Sequence, residues 1–177
     1  MYYRQMRMGY GNRLSEGVKK IIIANGIVFL LQMALGTKFT LLFGLIPRLA
    51  WSRLHIWQFF TYMFLHGGFF HILLNMYALW IFGTSIERMW GTKAFYKYYL
   101  ITGVGAGLIH TLLTPMSTIP TIGASGAVMG VLLAFAVMFP EREITLLLFF
   151  ILPVSMRART LVVVFALISL FGGVVQS

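Results

Sequence analysis

A chain of 177 residues that is 59% hydrophobic and only 10% charged, with mean hydropathy +0.87, is no ordinary soluble domain; those carry about a quarter charged residues. Its length leaves room for one compact membrane domain. The net charge of +10 would point to nucleic acid in a soluble protein, but here the basic residues stand beside apolar runs, which points to membrane topology and anionic lipid. Cysteine is absent, which excludes disulfides and thiolate metal sites.

Residues 1–20 form a basic stretch resembling the start of a signal sequence, but no small-residue cleavage site follows the first apolar run. That run is read as a retained membrane helix, with 1–20 as a basic cytoplasmic segment and 21–177 as the membrane domain. A crossing helix needs about 20 mostly apolar residues, and five segments approach this: roughly 21–35, 69–86, 95–113, 123–139 and 161–175. The loop 37–65 carries Trp51 and Trp57 among apolar residues, as suits a headgroup-level segment. Between the fourth and fifth segments, "ITLLLFFILP" is too short to span and is expected in or near the interface.

Eleven basic residues (Arg4, Arg7, Arg13, Lys19, Lys20, Arg88, Lys93, Lys97, Arg142, Arg157, Arg159) fall on one side of these spans, and only Lys38, Arg48 and Arg53 on the other. The positive-inside rule then places the N-terminus in the cytoplasm and the loops 37–65 and "TPMSTIP" outside. Ser125, in "IGASGAVMG", opens the fourth span at its outer end. Five crossings leave the C-terminus outside at "FGGVVQS", and the expectation is that residues 1–177 stop short of a sixth span.

The chain has no Asp, and its acids, Glu16, Glu87, Glu141 and Glu143, all map to the cytoplasmic side. An intramembrane aspartate dyad is therefore excluded, and no H-E-x-x-H zinc motif occurs. Polar groups at outer depth are His66, His71, Asn75, Ser125 and His110. His71 and Asn75, four apart, share a helix face about 40° wide. They fit bundle hydrogen bonding to neighbouring helices, and they also fit donation to a developing oxyanion. His66 lies roughly 140° from His71 on an ideal helix, which suits metal chelation poorly. Ser125, with Gly126 and Gly130 as a small-x-x-x-small pair, fits close packing. It equally fits a nucleophile at a helix start whose free amides bind anions, although the soluble G-x-S-x-G elbow fails at Ala127.

Taken together, Gly123-Ala124-Ser125-Gly126, His71 and Asn75 in "HILLN", the preceding His66, "ERMWGTKAFYKYY" and "GVGAGLIHTLLTP" closely resemble the rhomboid intramembrane serine proteases over roughly 57–171. The resemblance implies an all-α polytopic membrane helix bundle, with five of six core helices in 21–177. It implies Ser125 as nucleophile and His71 and Asn75 as oxyanion stabilisers, with Gly123, Gly126 and His66 as secondary candidates. No cofactor or metal is implied. Transmembrane protein substrates and membrane lipids are the implied partners, nucleic acid is not, and the site faces outward in the cell membrane. Gln58 departs from the Trp-Arg pair common in relatives, which puts a loop contact in doubt. The family's base is a histidine on the sixth helix. A serine hydroxyl is a weak nucleophile without one, and His110 is a poor substitute at a position the family does not use. With no outer carboxylate, a Ser–His dyad is expected. The alternatives are a catalytically inactive rhomboid-like protein that binds transmembrane segments and, with less support, a small transporter.

Overall fold

The computed structural model describes residues 13–148 and 152–175. Residues 1–12, with Arg4 and Arg7, and the final Gln176 and Ser177 lie outside the described residues. All five expected spans are helical: α1 (Glu16–Leu35), α5 (Phe69–Ala78) running through a π-turn into α6 (Thr84–Trp90), α7 (Thr92–Leu113), α8 (Ser125–Met138) and α9 (Ala158–Val175). Two of them, Glu16–Leu35 and Phe69–Trp90, are long and apolar enough by themselves to cross a membrane. The bundle is helical and polytopic, as expected.

α1 begins at Glu16, inside the segment read as a separate basic arm. The cause is distant in sequence: the buried Glu87 carboxylate accepts the amide protons of Gly17 and Val18, both at 2.8 Å, and hydroxyl protons from Ser15 and Thr92. An anionic side chain at a helix start satisfies donors the helix leaves free.

The loop 37–65 folds into α2 (Thr37–Phe43), α3 (Pro47–Ser52), α4 (Gln58–Thr61) and a 3₁₀ turn at Tyr62–Phe64. Trp51 and Trp57 are exposed at 49% and 41%. The doubt over Gln58 resolves here. Its buried amide accepts from the Ile46 N–H at 3.1 Å and donates to the carbonyls of Leu41 and Leu42, so Gln58 itself organises the loop.

α7 and α8 pack antiparallel through small residues. A Cβ on Gly130 would come 2.5 Å from Thr102 Cβ, and one on Gly126 would come 2.6 Å from Ala106 Cβ. The close-packing reading of Gly126 and Gly130 is thus correct, and it leaves Ser125 out: Ser125 is exposed. The same antiparallel pairing puts all four glutamates at the end of the bundle away from Ser125.

The "ITLLLFFILP" segment gives the one strand pair among the described residues. β1 (Glu143–Leu148) and β2 (Leu152–Arg157) pair antiparallel, with Thr145 opposite Ser155 and Glu143 opposite Arg157. Glu141 ties the base of this hairpin by ion pairs to Arg157 at 2.9 Å and Arg159 at 2.7 Å.

Candidate active site

Two short straps bring the polar groups together. The first, residues 65–68, leads into α5, where the Gly67 N–H donates to His71 Nδ1 at 3.2 Å. A neutral imidazole that accepts at Nδ1 carries its proton on Nε2, so His71 presents a donor at the far side of its ring. The second strap, between α7 and α8, delivers Gly123 and Ser125. It is pinned by a reciprocal backbone pair between Leu45 and Thr121 (3.0 and 2.8 Å) and by the Gly123 N–H donating to the Tyr62 carbonyl at 2.9 Å.

The straps meet at Gly123. A Cβ placed there would sit 2.9 Å from His71 Nε2 and 3.6 Å from Ser125 Oγ, so the hydroxyl and the imidazole N–H border the same point. Gly123 also has φ +131°, which side chains disfavour, so the position demands glycine twice over. Ser125 opens α8, and Val128 is the first residue bonded back, to the Ala124 carbonyl at 2.9 Å. The amides ahead of it have no intrahelical partner, the usual state of a helix start.

Asn75 lies one turn after His71 and is buried. Its Nδ2 donates to the His71 carbonyl at 2.9 Å, within its own helix. His66, 1% exposed, stands edge-on to His71 with ring centroids 5.0 Å apart. Both of its ring nitrogens lack a partner among the described residues. Burial, aided by the neighbouring His71, pushes its pKa down to about 4. The ring is therefore neutral at neutral pH. His66 and His71 are joined by no third metal-ligating side chain among the described residues.

His110, weighed as a base, is engaged elsewhere: its Nε2 lies 2.7 Å from Thr121 Oγ1 and 3.4 Å from Thr114 Oγ1. It holds the strap after α7. One contributor was missed altogether. Gln32 of α1 accepts from the His66 N–H at 3.0 Å and donates to the His66 carbonyl at 3.0 Å, gripping the first strap at both ends of one residue. Its only sequence signal is an amide in an apolar helix.

The family model for the rhomboid domain matches residues 53–177. The chain belongs to the rhomboid family. Over 90 residues this rhomboid is 37% identical to Rhomboid protein 1, mitochondrial, of Saccharomyces cerevisiae, covering 49% of this chain and 26% of the yeast protein. It is 38% identical over 76 residues to the rhomboid protease GluP of Bacillus subtilis, covering 43% of this chain and 14% of GluP. Over 141 residues it is 33% identical to the presenilin-associated rhomboid-like protein, mitochondrial, of Rattus norvegicus, covering 77% of this chain and 37% of the rat protein. The chain thus spans well under half the length of these relatives. Rhomboids are membrane proteins and include serine proteases; two of these relatives are mitochondrial by name, so membership fixes a membrane and not which one.

Proposed function

We propose that this rhomboid is an intramembrane serine endopeptidase that cleaves transmembrane protein substrates near the outer face of the cell membrane, its N-terminus cytoplasmic. The observation that carries the reading is the meeting of Ser125 Oγ and the His71 Nε2–H side of the ring at Gly123. Ser125 Oγ attacks the scissile carbonyl and loses its proton, and the carbonyl oxygen becomes an oxyanion. Donors placed where that charge develops, and nowhere else, lower the barrier. The Ser125 amide, His71 Nε2–H and the remaining hydrogen of the Asn75 amide fill that role. In its bonded tautomer His71 is a donor at Nε2, so it is not the base. By the family resemblance the proton passes to a histidine on a sixth core helix; within residues 1–177 no histidine follows His110. With no Asp and every Glu at the opposite end, residues 1–177 offer the site no carboxylate, which supports a Ser–His dyad.

A second reading is favoured by one observation. Among the described residues no imidazole presents a free acceptor to Ser125, as suits an inactive rhomboid-like protein that binds transmembrane segments without cutting them. Serine-directed labelling separates the two. With the protein in vesicles, a fluorophosphonate labels Ser125 and a transmembrane substrate is cut, and Ser125→Ala removes both while the melting temperature holds. Cleavage that survives Ser125→Ala sinks the protease mechanism, and binding without labelling or cleavage favours the inactive form.

A further inference from the structure

Gln32 sits near the outer end of α1, half-buried, with its amide turned toward the strap before α5. A side-chain amide has the same donor–acceptor pair as a peptide. Here it docks on the His66 peptide groups as a neighbouring strand would, Oε1 taking the N–H at 3.0 Å and Nε2 giving to the carbonyl at 3.0 Å. Nε2 also reaches Thr40 Oγ1 at 3.3 Å, which ties α2 into the same cluster. The next residue, Gly67, donates the hydrogen bond that selects the His71 tautomer. Gly67 and Gly68 have no side chain to hold the strap, and the His66 ring nitrogens have no hydrogen-bond partner among the described residues. The strap is fixed where Gln32 holds it.

We infer that Gln32 is a positioning residue for the oxyanion donor: by clamping the His66 backbone it aims the Gly67 N–H at His71 Nδ1 and so keeps the His71 proton on Nε2, facing Gly123 and Ser125. This rests on the assignment of His71 to the oxyanion made above. It makes α1, which contributes no reacting atom, a determinant of turnover and not only of bundle stability.

The test uses the complete protein in vesicles. Histidine-labelled ¹⁵N NMR at neutral pH reads the His71 tautomer directly. The wild type gives the Nε2-protonated form, and Gln32→Ala gives a mixture of both. In cleavage assays Gln32→Ala lowers kcat roughly tenfold with KM little changed, the size expected when the support of about one hydrogen bond is lost. In a His71→Ala background the same change lowers kcat no further, because the residue it positions is gone. If Gln32→Ala does not fold, Gln32→Glu, which keeps the acceptor and loses the donor, provides the same readouts at intermediate size. An unchanged His71 tautomer, or an equal loss of kcat in both backgrounds, overturns the inference. Should Ser125→Ala still cleave, the protease reading fails by itself, while the NMR arm continues to report on Gln32.

Discussion

The Glu87 carboxylate accepts the amide proton of Gly17 at 2.8 Å, joining the end of α6 to the start of α1 across 70 residues of sequence. Val18, Ser15 and Thr92 bond to the same carboxylate, so one buried side chain holds three helix ends. Glu87→Ala strands buried amide donors, and leaving such groups unpaired costs about 1–3 kcal/mol. Reversible unfolding in mixed micelles should register a loss of that order, with a smaller one for Glu87→Gln. A change within about 0.5 kcal/mol, the size of an ordinary surface substitution, would mean the clamp is idle.

Gly123→Ala should abolish cleavage. The added methyl falls 2.9 Å from His71 Nε2 at φ +131°, so either the strap or the imidazole must move. The expected signature is a collapse of kcat in membrane that still contains folded protein by limited proteolysis. Normal turnover in Gly123→Ala would show that the two straps do not meet in the working enzyme.

Asn75→Ala should cut turnover with little effect on folding. The amide is bonded to the His71 carbonyl inside α5 and not to a neighbouring helix, so the bundle loses no cross-helix tie. Losing one oxyanion donor costs about 10²–10³ in rate in a soluble serine protease, and two donors remain here, so a smaller factor is expected. If the variant unfolds while its folded fraction cuts normally, Asn75 is structural.

Stability should fall in mild acid because of His66. Its folded pKa of about 4 lies below the ordinary 6.5, so between these values the unfolded chain takes up a proton that the native one refuses. The stability contributed by neutral His66 is complete above pH 6.5, declines as the pH drops toward 4, and falls no further below that. His66→Phe should flatten the melting temperature across this window. An unchanged slope would assign the pH dependence to other groups.

The helices were legible because membrane spans announce themselves in unbroken apolar runs, and the candidate site was legible because Ser125, His71 and Asn75 sit in recognisable surroundings. What escaped shares one cause, partners far away in sequence. The start of α1 at Glu16 depends on Glu87, and nothing in "EGVKK" itself says membrane helix. The hairpin depends on Thr145 finding Ser155 and Glu143 lying opposite Arg157, so a leucine-rich run alone reads as one interfacial piece. His110 has its partner in Thr121, eleven residues on, and no motif announces that pairing. Gln32 had no motif to mark it.

α8 has 14 residues, about 21 Å at 1.5 Å per residue, whereas the hydrocarbon layer is about 30 Å thick. In the orientation proposed above, with the far end of α8 at the inner surface, Ser125 would stand about 9 Å beneath the outer boundary by the same arithmetic. A peptide bond that reaches it has descended into the oily layer and left its own helix, giving up internal hydrogen bonds where lipid offers none in return. On the protease reading proposed above, segments that uncoil readily, rich in glycine or proline, would be the ones suited to cutting. Thicker bilayers deepen the well, and lengthening the acyl chains of the host vesicles should slow cleavage of a given segment.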